Sequence, residues 1–182
     1  SWWAQSTPEG LIWFSTQNAN LFTIDVFNTI LPYFKVMNGT RTRAFNKDDS
    51  SILWLGTTAG LLKKDVKTGT TRSFVNDPAN INSISSNTVN AILKDKTGNL
   101  WIGTDNGLNY FDVKKEKFTK YQLSNDKTPF SNVVICLSKD SSGNIWAGTT
   151  RGLLKLDPGS GKLTNFRNDP ANINTISNDL VI

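Results

Sequence analysis

The chain has 182 residues, with 20 Lys and Arg against 15 Asp and Glu, no His, one Cys, six Trp, 37% hydrophobic residues and a formal net charge of +5. That is one domain's length, apolar enough for a sizeable core and too weakly charged for a disordered tail. The missing imidazole excludes Ser-His-Asp and Cys-His nucleophile activation and His metal sites, and one Cys excludes a thiolate zinc cage or an internal disulfide. No apolar run of roughly 18 residues could span a bilayer as a helix. The opening Ser1-Trp2-Trp3-Ala4-Gln5 has neither an initiating Met nor the layout of a signal peptide, so a piece of something longer is expected.

Self-similarity organises the rest. Residues 94–112 align with 139–157 at an offset of 45, with ten of 19 positions identical, and Phe74–Ile84 aligns with Phe166–Ile176 at an offset of 92, with nine of eleven identical. Trp13, Trp54, Trp101 and Trp146 mark four copies, 41, 47 and 45 residues apart.

In chain order, Trp2 and Trp3 fall where the first copy's inner strand is expected, and that copy is worn, with Ser15-Thr16 in place of Gly-Thr. The second copy carries Leu53-Trp54-Leu55-Gly56-Thr57-Thr58-Ala59-Gly60-Leu61, followed by a long connector from Asn76 to Asn87. The third reads most clearly. Asn90-Ala91-Ile92-Leu93 is a strand; Asp95-Lys96-Thr97-Gly98 has the Asp-first, Gly-fourth preference of a type I turn; Leu100–Thr104 is a second strand. Asp105-Asn106-Gly107 makes a hairpin into Leu108–Phe111, and a turn over Asp112–Lys115 leads to a fourth strand, Phe118–Leu123. The fourth copy repeats this with Asp140-Ser141-Ser142-Gly143 and Asp157-Pro158-Gly159-Ser160-Gly161 as turns. Ser177–Ile182 aligns with Ser86–Ala91 and opens another unit.

Four antiparallel strands in a period near 45 are the signature of a β-propeller blade. Helical repeats would show a 3.6-residue period and few Gly, Asn or Thr. The expected fold is therefore all-β, a β-propeller fragment of about four four-stranded antiparallel blades. Approximate blades are 1–38, 39–83, 84–128 and 129–176, with 177–182 opening a further one.

The run Asp95–Asp112 resembles the two-component regulator propeller repeat, whose pattern is D-x-x-G-x-[IL]-W-[IV]-G-T-x-x-G-[IL] followed by an aromatic and Asp. The resemblance recurs at Leu53–Leu61 and Asn144–Leu153, and the connector 76–87 is similar to the family's N-D-x-x-N-x-x-S-[IL]-S-x-N linker. Such repeats resemble the extracytoplasmic sensing part of hybrid two-component sensor kinases, especially those of gut Bacteroidetes that respond to polysaccharide fragments. The resemblance implies a periplasmic segment of a larger receptor, an oligosaccharide ligand, and kinase activity in a part of the parent outside this chain.

Repeated tryptophans at one blade position are expected to pack between blades rather than stack on sugars. Gly-Thr-x-x-Gly lacks the helix N-terminus of a phosphate loop and is read as turn chemistry. Variable tips on a repeated hairpin are how a scaffold presents a binding surface. Asp105, Asn106 and Arg151, with Asn87 and Asn132 from the linkers, are expected on one rim, where amide, carboxylate and guanidinium groups suit sugar hydroxyls or an acidic sugar. Trp2 and Trp3, which are not repeated, are candidate ligand platforms. Cys136 occupies the slot of Ala44 and Ala91 and is expected to be a small buried side chain rather than a nucleophile. Asp48, Asp95 and Asp140 are expected to cap turns. Basic residues are interleaved with acids, so no nucleic-acid partner is expected, and no metal or cofactor is.

The leading expectation is a non-catalytic sensor module that binds an oligosaccharide and shifts a receptor equilibrium. Its rival is a protein-interaction or dimerisation scaffold. Ring closure, an open arc, and a homodimer completing a larger ring all fit the repeat count, and the partners of either reading include the remaining blades and downstream domains of the parent.

Overall fold

The computed structural model describes residues 40–47, 51–121, 123 and 132–182 in full, and the backbone of four earlier strands. Those strands, Ala4–Ser6 (β1), Leu11–Ser15 (β2), Asn20–Asp25 (β3) and Tyr33–Lys35 (β4), form one antiparallel sheet in chain order. The second sheet is Thr42–Lys47 (β5), Ile52–Thr57 (β6), Gly60–Asp65 (β7) and Thr71–Phe74 (β8). The third is Val89–Lys94 (β9), Leu100–Thr104 (β10), Gly107–Asp112 (β11) and Lys117–Tyr121 (β12). The fourth is Val134–Lys139 (β13), Ile145–Thr149 (β14), Gly152–Leu156 (β15) and Leu163–Phe166 (β16). Four sheets, each joined hairpin by hairpin, are propeller blades, and the inner strands β5, β9 and β13 lie side by side. The described residues contain no helix long and apolar enough to cross a membrane. Trp2, Trp3, Asp48 and the side chain of Trp13 lie outside the described residues.

Strand alternation explains why β10 is buried along its whole length. Successive side chains point to opposite faces of the sheet. Leu100 and Ile102 therefore enter the core shared with the second blade, alongside Trp54, Phe111 and Phe118, while Trp101 enters the core shared with the fourth, alongside Ile145, Ala147, Leu154 and Leu156. Trp54 meets Phe111 edge-on with ring centroids 5.6 Å apart. Trp54 and Trp101 are core residues, as their periodic placement predicts.

The first turn of the third and of the fourth blade is held by its aspartate. Asp95 Oδ1 accepts hydrogen bonds from the backbone of Thr97 and Asn99, and Asp140 Oδ1 accepts one from Asn144. Asp140 Oδ2 also accepts the Nδ2–H of Asn144 and the indole N–H of Trp146. These donors, Asn144 first and then Trp146, hold its carboxyl below the usual 3.8, at about 2. Because the folded value is depressed, the stability this turn contributes is fully present above about pH 4 and lost as pH falls through about 2. In an NMR titration the Trp146 indole proton is expected to stay constant from neutral pH down to about pH 4 and to shift with a midpoint near 2. A midpoint near 4 would contradict the bond.

The third turn is one residue longer than the four-residue reading over Asp112–Lys115. Gly69 and Gly161 close it in the left-handed region in the second and fourth blades, at φ 73° and 71°, and Glu116 takes that place in the third, at φ 54°. A side chain there costs about 1–2 kcal/mol relative to glycine, whereas the exposed Arg72–Glu116 ion pair returns only a few tenths. Glu116→Gly is therefore expected to raise stability by about 0.5–1 kcal/mol, after the extra unfolded-state freedom of glycine is counted, and to raise Tm in a thermal scan.

The long linkers are two copies of one hydrogen-bonded device. Asn76 Nδ2 donates to Ile84 O and Asn168 Nδ2 to Ile176 O, at 2.7 and 2.6 Å. The backbone N–H of Asp77 donates to Ser83 Oγ and that of Asp169 to Thr175 Oγ1. Asn80 and Asn172 accept from the residue two positions on. The near-identity of these segments is local backbone satisfaction by short polar side chains.

Candidate functional site

The Gly-Thr-x-x-Gly hairpin is built from three contacts. The buried threonine hydroxyl donates across the turn to the carbonyl of the second glycine, Thr57 to Gly60, Thr104 to Gly107 and Thr149 to Gly152, at 2.8, 3.0 and 2.7 Å. The same oxygen accepts the backbone N–H of Ala59, Asn106 or Arg151. The first glycine is required by its neighbour: a Cβ on Gly56 would lie 2.6 Å from Val89 Cγ1, and one on Gly103 2.5 Å from Val134 Cγ1, because the next blade's inner strand passes there.

The second glycine ties each hairpin to the linker entering the next blade. The N–H of Gly60 donates to Asn87 O, that of Gly107 to Asn132 O and that of Gly152 to Asp179 O, at 2.7, 2.7 and 2.6 Å. Asn87, Asn132 and Asp179 in turn use a side-chain oxygen to accept the backbone N–H of Asn76, Leu123 and Asn168. Asp179 thus takes the place of Asn87. This corrects the alignment of the last residues by one: Ser177 corresponds to Ser85, and Val181, which packs on Gly148, to Val89.

The structure brings Asn87, Asp105, Asn106, Asn132 and Arg151 to one rim, through these ties and through the bonds of Asp105 N to Thr88 O and Thr150 N to Val133 O. The carboxamide oxygens of Asn87 and Asn132 are occupied by backbone donors, so their part in the rim is to latch hairpin to linker. Asn106 Nδ2 reaches Ser85 O at 3.4 Å. Arg151 lies close enough to Asp179 to help hold that carboxyl below the usual range, after the Asn168 N–H and the Arg167 guanidinium.

Two rim residues escaped the repeat reading. Each of the inner strands β5, β9 and β13 carries a one-residue bulge opposite the Gly-Thr step, at Arg43, Asn90 and Ile135. A bulge re-aims the side chain it adds. Arg43 Nη1 donates to Asn90 Oδ1 at 3.0 Å, and Asn90 Nδ2 donates to Asp105 Oδ1 at 2.8 Å and to Val134 O at 2.9 Å. One carboxamide therefore joins three blades. The signal was present as a variable residue before the small Ala44, Ala91 and Cys136, which all face the Gly of the motif. A third missed residue is Asn109, fully buried where the sister blades carry Leu62 and Leu154; its amide donates to Ser85 Oγ at 2.8 Å and its oxygen accepts the Ser85 N–H at 3.0 Å. Among the described residues no group of three His, Cys, Asp or Glu could hold a metal.

Comparison with solved structures shows a propeller. The extracellular domain assigned to the hybrid two component system BT4673 of B. thetaiotaomicron matches 98% of this chain at TM-score 0.71 and 19% identity, and that of BT3049 from the same organism matches 97% at TM-score 0.57 and 19% identity. Virginiamycin B lyase from Staphylococcus aureus matches 92% at TM-score 0.71 and 12% identity. The chain spans 29%, 36% and 55% of the length of these proteins. No curated protein sequence matches it. The family described as two component regulator propeller matches residues 83–106 and 128–151, the stretches that run from linker through bulged inner strand to hairpin tip. These two stretches match the two-component regulator propeller repeat, and the sheets that carry them are blades of a β-propeller.

Proposed function

We propose that this chain is part of the extracytoplasmic ligand-sensing region of a two-component signal transduction receptor, located in the periplasm, and that its hairpin rim binds an oligosaccharide. The family match and the likeness to extracellular domains of two hybrid two component systems support the sensing role. The observation that carries the site is the Arg43–Asn90–Asp105 chain, a guanidinium, a carboxamide and a carboxylate linked across adjacent blades at the bulges. Those groups pair well with sugar hydroxyls or a uronate. A ligand that replaces the inter-blade bonds favours one blade arrangement over another, which is the differential affinity that signalling needs.

The chain's part is recognition, with no catalytic group proposed within it; phosphotransfer belongs to a kinase elsewhere in the parent. The lyase likeness does not favour an enzymatic reading, since a histidine-to-alanine variant of that lyase is catalytically inactive and this chain has no His. The largely exposed apolar side chains of the linkers, Ile81 and Ile173, sit at the same position of the two copies, so they belong to the repeat and do not mark a singular protein-docking patch.

The test is calorimetric titration of the intact ectodomain with acidic and neutral oligosaccharides. Arg43→Ala and Asn90→Ala are each expected to weaken the binding observed by about tenfold, the worth of a hydrogen bond to a charged or buried group. Absence of binding across the panel, or affinity untouched by both variants, overturns the reading.

A further inference from the structure

The rim opposite the hairpins carries a feature of a different kind. Between the first turns of the third and fourth blades lies a cleft of about 460 Å³, floored by Trp101, Tyr110 and Tyr121 and edged by Asp95, Asp140 and Ser142. That is within the size range of small-molecule sites. The three rings form one continuous aromatic surface, with Trp101 4.8 Å from Tyr110 and 5.5 Å from Tyr121 between centroids.

The blades differ at the junction beside the cleft. Where the third blade meets the second, Ile102, Phe111 and Phe118 pack against Trp54. The fourth blade presents Ala147, Leu156 and Leu163 from the same registers toward Trp101. Each replacement is smaller, and the three belong to the cluster packed around Trp101 rather than to the lining of the cleft. The residue paired across from the tryptophan differs as well. In the second and fourth blades it is a lysine, Lys63 or Lys155, lying over the indole; in the third it is Tyr110. Its ring is held by hydrogen bonds, its hydroxyl accepting from Asn99 Nδ2 at 2.8 Å and donating to Asp95 Oδ2 at 3.0 Å. Of the two described junctions, the third blade thus exchanges a cation for a fixed aromatic edge at the one where the opposing blade carries the smaller side chains.

We propose that this cleft is a second small-molecule site, distinct from the hairpin rim, and that it takes a neutral hydroxylated ring of pyranoside size. The aromatic floor suits the apolar C–H face of such a ring. The edge alternates acceptors, from Asp95 and Asp140, with donors, from Lys96, Lys139 and Ser142, as hydroxyl groups require. Two carboxylates and two ammonium groups balance, so the cleft selects neither an anion nor a cation.

Saturation-transfer difference NMR on the intact protein, with methyl β-glucopyranoside and methyl β-galactopyranoside as probes, tests the assignment. At least one glycoside is expected to bind, with saturation strongest on the protons of one ring face. Tyr110→Lys installs the residue of the second and fourth blades at a position that lines the cleft and is expected to abolish the signal. Lys96→Ala with Ser142→Ala, both on the exposed edge, is expected to weaken binding by about tenfold without moving Tm. Arg43→Ala and Asn90→Ala at the hairpin rim are expected to leave it unchanged, which separates this site from the one proposed above. The assignment is overturned if neither glycoside binds, if binding survives both the Tyr110 and the edge variants, if the hairpin-rim variants abolish it, or if choline binds in place of the glycosides.

Discussion

Replacing Trp54 with alanine is expected to destabilise the fold by about 3–5 kcal/mol, the range for a large aromatic lost from a core. Trp54 is 2% exposed and stands between blades rather than within one. It touches Phe111 of the next blade and Phe74 of its own, and Phe111 stacks on Phe118 with centroids 4.3 Å apart. Removal leaves a void walled by strands of two sheets that cannot close over it without breaking register, so little of the cavity is recovered by relaxation. Trp146 supplies the internal comparison. It is half-buried and stacks on the exposed Phe166, so Trp146→Ala is expected to cost roughly half as much. Denaturant unfolding of both variants checks the difference, and equal losses would show that the tryptophans do not act through inter-blade packing.

Gly60→Ala is expected to cost about 3–5 kcal/mol, for a reason unrelated to apolar burial. The residue sits at φ 117°, outside even the left-handed well, and an added Cβ would lie 2.5 Å from the carbonyl oxygen of Phe74. Backbone cannot swing aside as a flexible side chain does. The Gly60 N–H also closes the hairpin on Asn87 O, so any shift that relieves the clash breaks the tie to the next blade. Gly152 repeats the arrangement, at φ 117° with Phe166 O at 2.5 Å. Gly69 is the control. At φ 73° with nothing within 4 Å of the added carbon, Gly69→Ala carries only the left-handed penalty of about 1–2 kcal/mol. A Gly60→Ala loss no larger than that of Gly69→Ala would refute the backbone clash as the reason for the motif's second glycine.

Both predictions bear on the proposed oligosaccharide site, because the hairpin rim has no stability of its own. Asp105 is placed by a turn that Thr104 caps and Gly107 anchors, and it is joined through Asn90 to Arg43 in a neighbouring blade. Loosening either the aromatic packing below or the glycine ties above moves groups whose spacing across blades is the proposed recognition element.

What the sequence determined by itself was whatever depends on neighbours in the chain. Strands, hairpins and capped turns were legible because Asp95, Gly98, Thr104 and Gly107 satisfy backbone groups within a few residues of themselves, and a period near 45 repeated that chemistry often enough to reveal the blade. Placement of Asp105, Asn106 and Arg151 on a common rim with Asn87 and Asn132 followed from the same topology. The tertiary structure decided what depends on residues distant in sequence. Arg43 and Asn90 are 47 positions apart and meet only because bulges in two inner strands stand side by side. Asn109 reads as a misplaced polar residue until Ser85 of the linker is laid against it. The cleft beside Trp101 is lined from the first turns of two different blades, with Asp95 on one side and Asp140 on the other. A local pattern does not encode it, because a cavity is shared across an interface and only packing reveals what lines it.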